Sequence, residues 1–286
     1  MKTLKEYLNW AEEKKVAIGH FNVSDSEGFN AVVETAKELD VPVIIGVSEN
    51  ERSFLGVAEI RALVSVEQEK GLPVFLNADH TYSVPAAMEA IDSKFDSVII
   101  DGAEKPFVEN VLMTQEVIRY AREKYPGMLV EGELGFIGRG STLLDEIPEG
   151  VSEKTQTTAE DAKLFVEETR VDLFAPSVGN IHGLIRSGEP KLNIKRIKEI
   201  NKVVNVPLVL HGASGNTDEE VGEAIDAGIR IVHINTELRL AYKKGIKKSV
   251  LSSDELAPYK FMAEGVEEMK KIVRAKLRVF NKLDNE

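Results

Sequence analysis

Pro73-Val74-Phe75-Leu76-Asn77-Ala78-Asp79-His80 is a short apolar run that ends on an acid and an imidazole. Such a run reads as a strand of a parallel sheet covered on both faces. Seven more runs share its make-up: Val16 to Val23, Pro42 to Ser48, Ser97 to Gly102, Met128 to Gly135, Asp172 to Gly179, Pro207 to Gly212 and Arg230 to Thr236. Helix-like amphipathic segments separate them. Eight βα units in 286 residues are the arithmetic of a (β/α)8 barrel. The rival, an open doubly wound sheet, usually places Gly-x-Gly-x-x-Gly after its first strand. Here Ser24-Asp25-Ser26-Glu27 follows instead, which reads as a helix cap. The expected fold is therefore α/β: a TIM barrel in one domain over residues 1–286. An additional C-terminal helix is expected from Pro258 to Leu283, as an interface element.

The chain has five histidines, His20, His80, His182, His211 and His233, each at or just past the end of one of these runs. Taken singly, a strand-end histidine is more often a hydrogen-bonded structural residue than a ligand. Five at the same end of one barrel converge on one mouth, the face where barrel active sites lie. Three imidazoles with an open position are a standard catalytic zinc arrangement, and residue types alone leave the trio open. The same strand ends carry Asn22, Ser48, Asp79, Asp101, Glu131, Glu133, Ser177, Asn180, Ser214, Asn235 and Thr236. Asp79 can be read as a helix cap and Gly212-Ala213-Ser214-Gly215 as a plain turn. At the ends of strands seven and eight, however, that turn and Asn235-Thr236 also suit a phosphate cradle of backbone N–H groups.

Composition narrows the chemistry. There is no cysteine, so disulfides, thiolate metal sites and a thiol nucleophile are excluded. A net charge of -12, well mixed along the chain, disfavours nucleic acid. The same field repels a sugar phosphate, which would need local positive charge from a metal, backbone N–H groups or a few Lys and Arg. No apolar run is long enough to cross a membrane and no signal region opens the chain, so a cytoplasmic protein is expected. No lysine lies within the eight strands, which argues against Schiff-base chemistry and for carbanion stabilisation by a metal.

Several segments together resemble the class II, metal-dependent ketose-bisphosphate aldolases that act on fructose and tagatose bisphosphates. They are Gly19-His20-Phe21-Asn22-Val23, Asn77-Ala78-Asp79-His80, Ile100-Asp101-Gly102, Val130-Glu131-Gly132-Glu133, Gly179-Asn180-Ile181-His182-Gly183, His211-Gly212-Ala213-Ser214 and Asn235-Thr236-Glu237-Leu238. The resemblance implies that His80, His182 and His211 bind a divalent cation, usually Zn2+, with Asp101 and Glu133 orienting or transiently contacting it. It implies Asp79 as general base or acid on the substrate C4 hydroxyl. Gly183, Gly212, Ser214 and Thr236 would hold one phosphate, with K+ or Na+ nearby, and Asn22, Ser48 and Asn235 are expected among the substrate contacts. The implied reaction is reversible cleavage of fructose 1,6-bisphosphate to dihydroxyacetone phosphate and glyceraldehyde 3-phosphate, in a homodimer or homotetramer. Alternatives are another ketose-phosphate aldolase, a metal-dependent sugar-phosphate epimerase or hydrolase, and a metal-binding homologue without catalysis.

The chain also departs from that family. The usual loop glutamate after Gly138 has no match, and Asp145, Glu146 and Glu149 are the nearest acids. His233 stands where relatives carry Asn, and Thr81 where His or Cys is commoner. The segment Ala257 to Phe261 lacks the Arg that in relatives reaches the distal phosphate from a neighbouring subunit. His233 is accordingly expected to hydrogen-bond the enediolate and carry its proton, under a lid acid from Asp145 to Glu149. Lys260 or Arg274 is expected to replace the missing Arg.

Overall fold

Alternation along the strands divides the apolar residues between two cores. Phe21, Val43, Ile45, Val74, Leu76, Val98, Val130, Phe174, Leu208 and Val232 pack outward against helices. Ile18, Ile44, Phe75, Leu129, Leu173, Val209 and Ile231 point the other way and fill the interior. This computed structural model describes residues 2–186 and 190–283. Its eight parallel strands are Ile18–Asn22, Val43–Val47, Val74–Thr81, Ser97–Ile100, Leu129–Leu134, Leu173–Pro176, Leu208–Leu210 and Ile229–Ile234. Each neighbours the next in sequence, and the last pairs with the first to close the barrel. Asp25 caps the helix Ser26–Leu39, its side chain accepting from Gly28 N at 2.7 Å, as the sequence suggested.

The inner core has a floor. Helix Leu4–Lys14 presents Leu4, Leu8 and Ala11 to the interior residues Ile18, Ile44, Phe75 and Leu129. A capping box, Thr3 with Glu6, starts it, and Lys15 in the left-handed region ends it. Two residues further along the strands than this apolar layer, the interior turns polar, with His20, Asn77, Glu131, His211 and His233 all buried. The barrel is thus dry at its base and polar towards its mouth.

The two long loops are tied together. Leu143–Leu144 and Leu184–Ile185 form a two-stranded parallel ladder across the top. The C-terminal helix runs from Ala263 to Asn281 after a short turn, Pro258–Phe261, and packs on Ser26–Leu39 and Thr236–Ser252. Among the described residues, no helix is long and apolar enough to cross a membrane.

Candidate metal centre and active site

His80 reaches the axis through a distortion of its strand. The register against the fourth strand shifts between Ala78 and Thr81, and His80 sits at φ +38°, rare for a residue with a side chain. Arg52 holds this kink: its guanidinium is buried and donates to Val47 O at 2.7 Å, Asp79 O at 3.2 Å and Thr81 Oγ1 at 3.1 Å. Thr81, the residue that departs from the family pattern, is therefore the partner of a buried arginine.

The three histidines implied as ligands meet. His80 and His211 have ring centroids 4.9 Å apart, His80 and His182 4.7 Å, and His182 and His211 6.1 Å. Each is oriented by its other nitrogen. His80 Nδ1 lies 2.9 Å from Asp101 Oδ2, His182 Nδ1 lies 3.0 Å from Gly138 O, and His211 Nε2 lies 2.8 Å from Glu131 Oε1. Those contacts leave His80 Nε2, His182 Nε2 and His211 Nδ1 free to converge, with one donor atom from each residue inside a 4.8 Å sphere of separation.

His211 Nδ1 and His80 Nε2 face each other at 3.2 Å. Two lone pairs at that distance repel unless a proton or a metal ion lies between them. The spacing also matches the ~3.3 Å edge of a tetrahedron with Zn–N bonds of about 2.0 Å. Glu133 Oε2, buried without a hydrogen-bond partner, lies 3.7 Å from His80 Nδ1 and 3.9 Å from His211 Nδ1. This donor set of imidazoles backed by carboxylates fits a divalent cation.

Electrostatics agree. Burial opposes charge on His80, but Asp79, Asp101 and Glu133 outweigh it and raise His80 to about 10. Without a metal, it holds a proton where the ion would sit. Burial, then the charge on His80, lowers His182 to about 4, which keeps it a neutral donor. Burial, with Asp101 and Glu131 beside it, pushes Glu133 well above the usual carboxylate range. Burial alone would raise Asp79, yet the surrounding His80, His233 and His20 hold it well below that range.

A cavity of about 400 Å³ opens over this cluster. Asn22, Ser48, Asp79, His80, His182, Gly183, His211, Gly212, Ser214, His233, Asn235 and Thr236 line it, as the sequence suggested, while Asp101 and Glu133 stand behind His80. Asn22 Nδ2 donates to Asp79 Oδ2 at 2.8 Å, leaving Asp79 Oδ1 buried and without a partner. His233 Nδ1 lies 3.5 Å from that free oxygen. Gly212 has φ +60°, and a Cβ there would sit 2.3 Å from Ile181 O, so the chain can pass only as glycine. Ser214 Oγ accepts from Asn235 N and Glu237 N, both at 3.4 Å, at the start of helix Thr236–Ser252.

One expectation is corrected. Asp145, Glu146 and Glu149 do not line the cavity; Asp145 is exposed and pairs with Arg186 at 3.0 Å, so the ladder between the loops turns these acids outward. Of that loop, Gly140 and Ser141 reach the cavity. Lys260 and Arg274 do not line the cavity of their own chain, Lys260 pairing with Glu255 and Arg274 with Glu38; the contact expected of them is with a neighbouring subunit's cavity. The one lysine or arginine among the described residues lining the cavity is Arg239, which donates to Glu51 Oε1 at 2.5 Å. Glu51 in turn accepts from Ser48 N, Ser48 Oγ and Asn22 Nδ2. Arg239 follows Thr236 by three residues on one helix face, a spacing that could have revealed it. Glu49 and Tyr82, also cavity-lining, were missed because neither ends a strand.

A profile described as fructose-bisphosphate aldolase class-II matches residues 2–285. A fructose-bisphosphate aldolase of Staphylococcus aureus is 34% identical over 285 residues, covering 97% of this chain and 96% of that protein. Among solved structures, the YdjI aldolase from Escherichia coli K12 superposes with a TM-score of 0.83 at 29% identity, covering 98% of this chain and 97% of that one. The fold of the Campylobacter jejuni fructose-bisphosphate aldolase matches too, at a TM-score of 0.80 and 22% identity, over 97% of this chain and 94% of that one. With its barrel, its convergent histidines and a match from end to end, the chain belongs to the class II fructose-bisphosphate aldolase family, metal-dependent lyases of glycolysis.

Proposed function

We propose that the protein reversibly cleaves fructose 1,6-bisphosphate in the cytoplasm, using Zn2+ held by His80, His182 and His211. The observation that carries this reading is the 3.2 Å approach of His80 Nε2 and His211 Nδ1 beside a buried, unpartnered Asp79 oxygen. When bound by His80, His182 and His211, the cation would supply Lewis acidity that stabilises the negative charge developing on the ketose. Asp79 Oδ1 takes the C4 hydroxyl proton, the C3–C4 bond breaks, and its electron pair stays on the dihydroxyacetone phosphate half. Glyceraldehyde 3-phosphate leaves. Asp79 passes that proton to His233, 3.5 Å away, which delivers it to the C3 carbon; burial first, then His20, lowers His233 to about 3, so it does not retain the proton. Replacement His233→Asn then slows both turnover and exchange of the dihydroxyacetone phosphate proton; unchanged rates would rule this role out.

Backbone groups at Gly183, Gly212 and the start of helix Thr236–Ser252, with Ser214, hold one phosphate. The buried, unpartnered Asn235 Oδ1 suits a K+ or Na+ ion beside it. Arg239, with Ser48 and Asn22 close by, gives the other phosphate a counter-charge from the same chain. Val250, Leu251, Leu256 and Tyr259 are exposed beside the C-terminal helix, which supports assembly into a homodimer or homotetramer. A coupled triose-phosphate assay on fructose and tagatose bisphosphates, with and without chelator, tests the proposal. Chelator-sensitive cleavage of the fructose substrate is expected, and preference for tagatose bisphosphate would reassign the substrate.

A further inference from the structure

Three imidazoles form a column through the polar layer of the barrel. His20 and His233 stack with centroids 3.5 Å apart and planes at 6°, and His233 stacks on His211 at 4.0 Å and 25°. The first pair follows from strand register, since His20 and His233 are directly opposed across the closing seam. His20, Asp79 and His233 bring donor atoms within 4.8 Å of one another, a spacing that invites a second metal ion. The stacking argues against it. The lone pairs of two parallel rings lie in parallel planes 3.5 Å apart and do not converge on one point.

The ring of His20 is pinned on every side. Its Nε2 lies 3.2 Å from the Asn77 amide, whose other end bonds Ser97 Oγ at 2.7 Å. His20 is thus anchored through Nε2, and Nδ1 is buried with no partner. Gly46 forms the wall behind: a Cβ there would lie 2.0 Å from His20 Cε1 and 2.4 Å from Nε2. The remaining face is the one against His233.

We propose that His20 is a positioning residue. Wedged between Gly46 and His233, it covers the face of His233 opposite His211 and so fixes the plane in which His233 Nδ1 meets Asp79 Oδ1. The polarity of His20 serves to anchor it to Asn77; its flat ring does the positioning. This rests on the function proposed above for Asp79 and His233, and the test separates the two.

His20→Ala frees one face of His233. We expect kcat for bisphosphate cleavage to fall by about 100-fold, as for an ångström-scale misplacement of a reacting group, with KM and zinc content unchanged. His20→Phe, which keeps a flat ring, should recover most of the loss, and His20→Asn should not. Gly46→Ala should lower kcat by displacing His20, and should cost nothing further when combined with His20→Ala. In the metal-free protein, long-range 1H–15N spectra should show His233 as one Nδ1–H tautomer, changing to an averaged signal in His20→Ala. Unchanged kcat and an unchanged His233 signal in His20→Ala would overturn the proposal, as would an equal cost of Gly46→Ala in both backgrounds. If neither bisphosphate is cleaved, the functional reading falls, and the His233 signal alone decides the positioning role.

Discussion

Asp79 has two oxygens in different circumstances. Oδ2 is held by Asn22, and Oδ1 is buried, unpartnered and turned towards His233. Replacement Asp79→Asn keeps the shape and the Asn22 side of this arrangement but removes the proposed base. Steady-state kinetics should show cleavage reduced by about 100- to 10,000-fold, with metal content measured on the same sample unchanged. His80 gives a second residue-scale prediction. Its pKa is raised to about 10 in the folded, metal-free chain from 6.5, burial opposing and Asp79, Asp101 and Glu133 prevailing. Its contribution to stability is therefore complete below 6.5 and lost as pH rises through about 10. At pH 8 zinc must displace this proton, so calorimetric titration in buffers of different ionisation enthalpy should report release of about one proton per chain. Uptake without proton release would show that His80 is already neutral.

At the scale of elements, strand ends and helix starts share the labour. Helix Thr236–Ser252 brings Thr236 at its first turn and Arg239 one turn on to the same cavity. Replacement Arg239→Met should lower kcat/KM for the bisphosphate about 10- to 100-fold, the loss of a charge-assisted contact, and act mainly through KM. Condensation of dihydroxyacetone phosphate with an unphosphorylated aldehyde should be little affected. The strands and their terminal histidines were legible because a parallel strand buried on both faces leaves a continuous apolar run, and a polar residue at its end stands out. Tyr82 and Glu49 were not legible, because a charged or aromatic residue in a helix or turn looks the same whether it faces a cavity or solvent; Arg239 was legible only through its spacing from Thr236. The loop acids misled for the complementary reason. Their distance along the chain suited a lid, while the ladder of Leu143–Leu144 with Leu184–Ile185 turns them away from the mouth.

The whole molecule is a barrel with a closed dry end and an open polar end, and the closure is not read from the strands at all. Helix Leu4–Lys14 shows an amphipathic face in sequence, but its partner, the inner core of Ile18, Ile44, Phe75 and Ile231, is defined only when the barrel closes. Leu8 is 2% exposed in that floor, and Leu8→Ala should cost about 2–4 kcal/mol in denaturant unfolding through the cavity it leaves. The distance from that floor should leave the proton transfers intact in whatever fraction stays folded. The chemistry proposed for the mouth depends on one assembly, the imidazoles of His80, His182 and His211, whose donor atoms are close enough to hold a single ion. Anomalous diffraction at the zinc edge from crystals of the zinc-loaded protein measures it directly. One peak per chain is expected, about 2.0–2.1 Å from His80 Nε2, His182 Nε2 and His211 Nδ1. A peak at His20, Asp79 and His233 instead, or none within bonding distance of the three ligand nitrogens, would contradict the account.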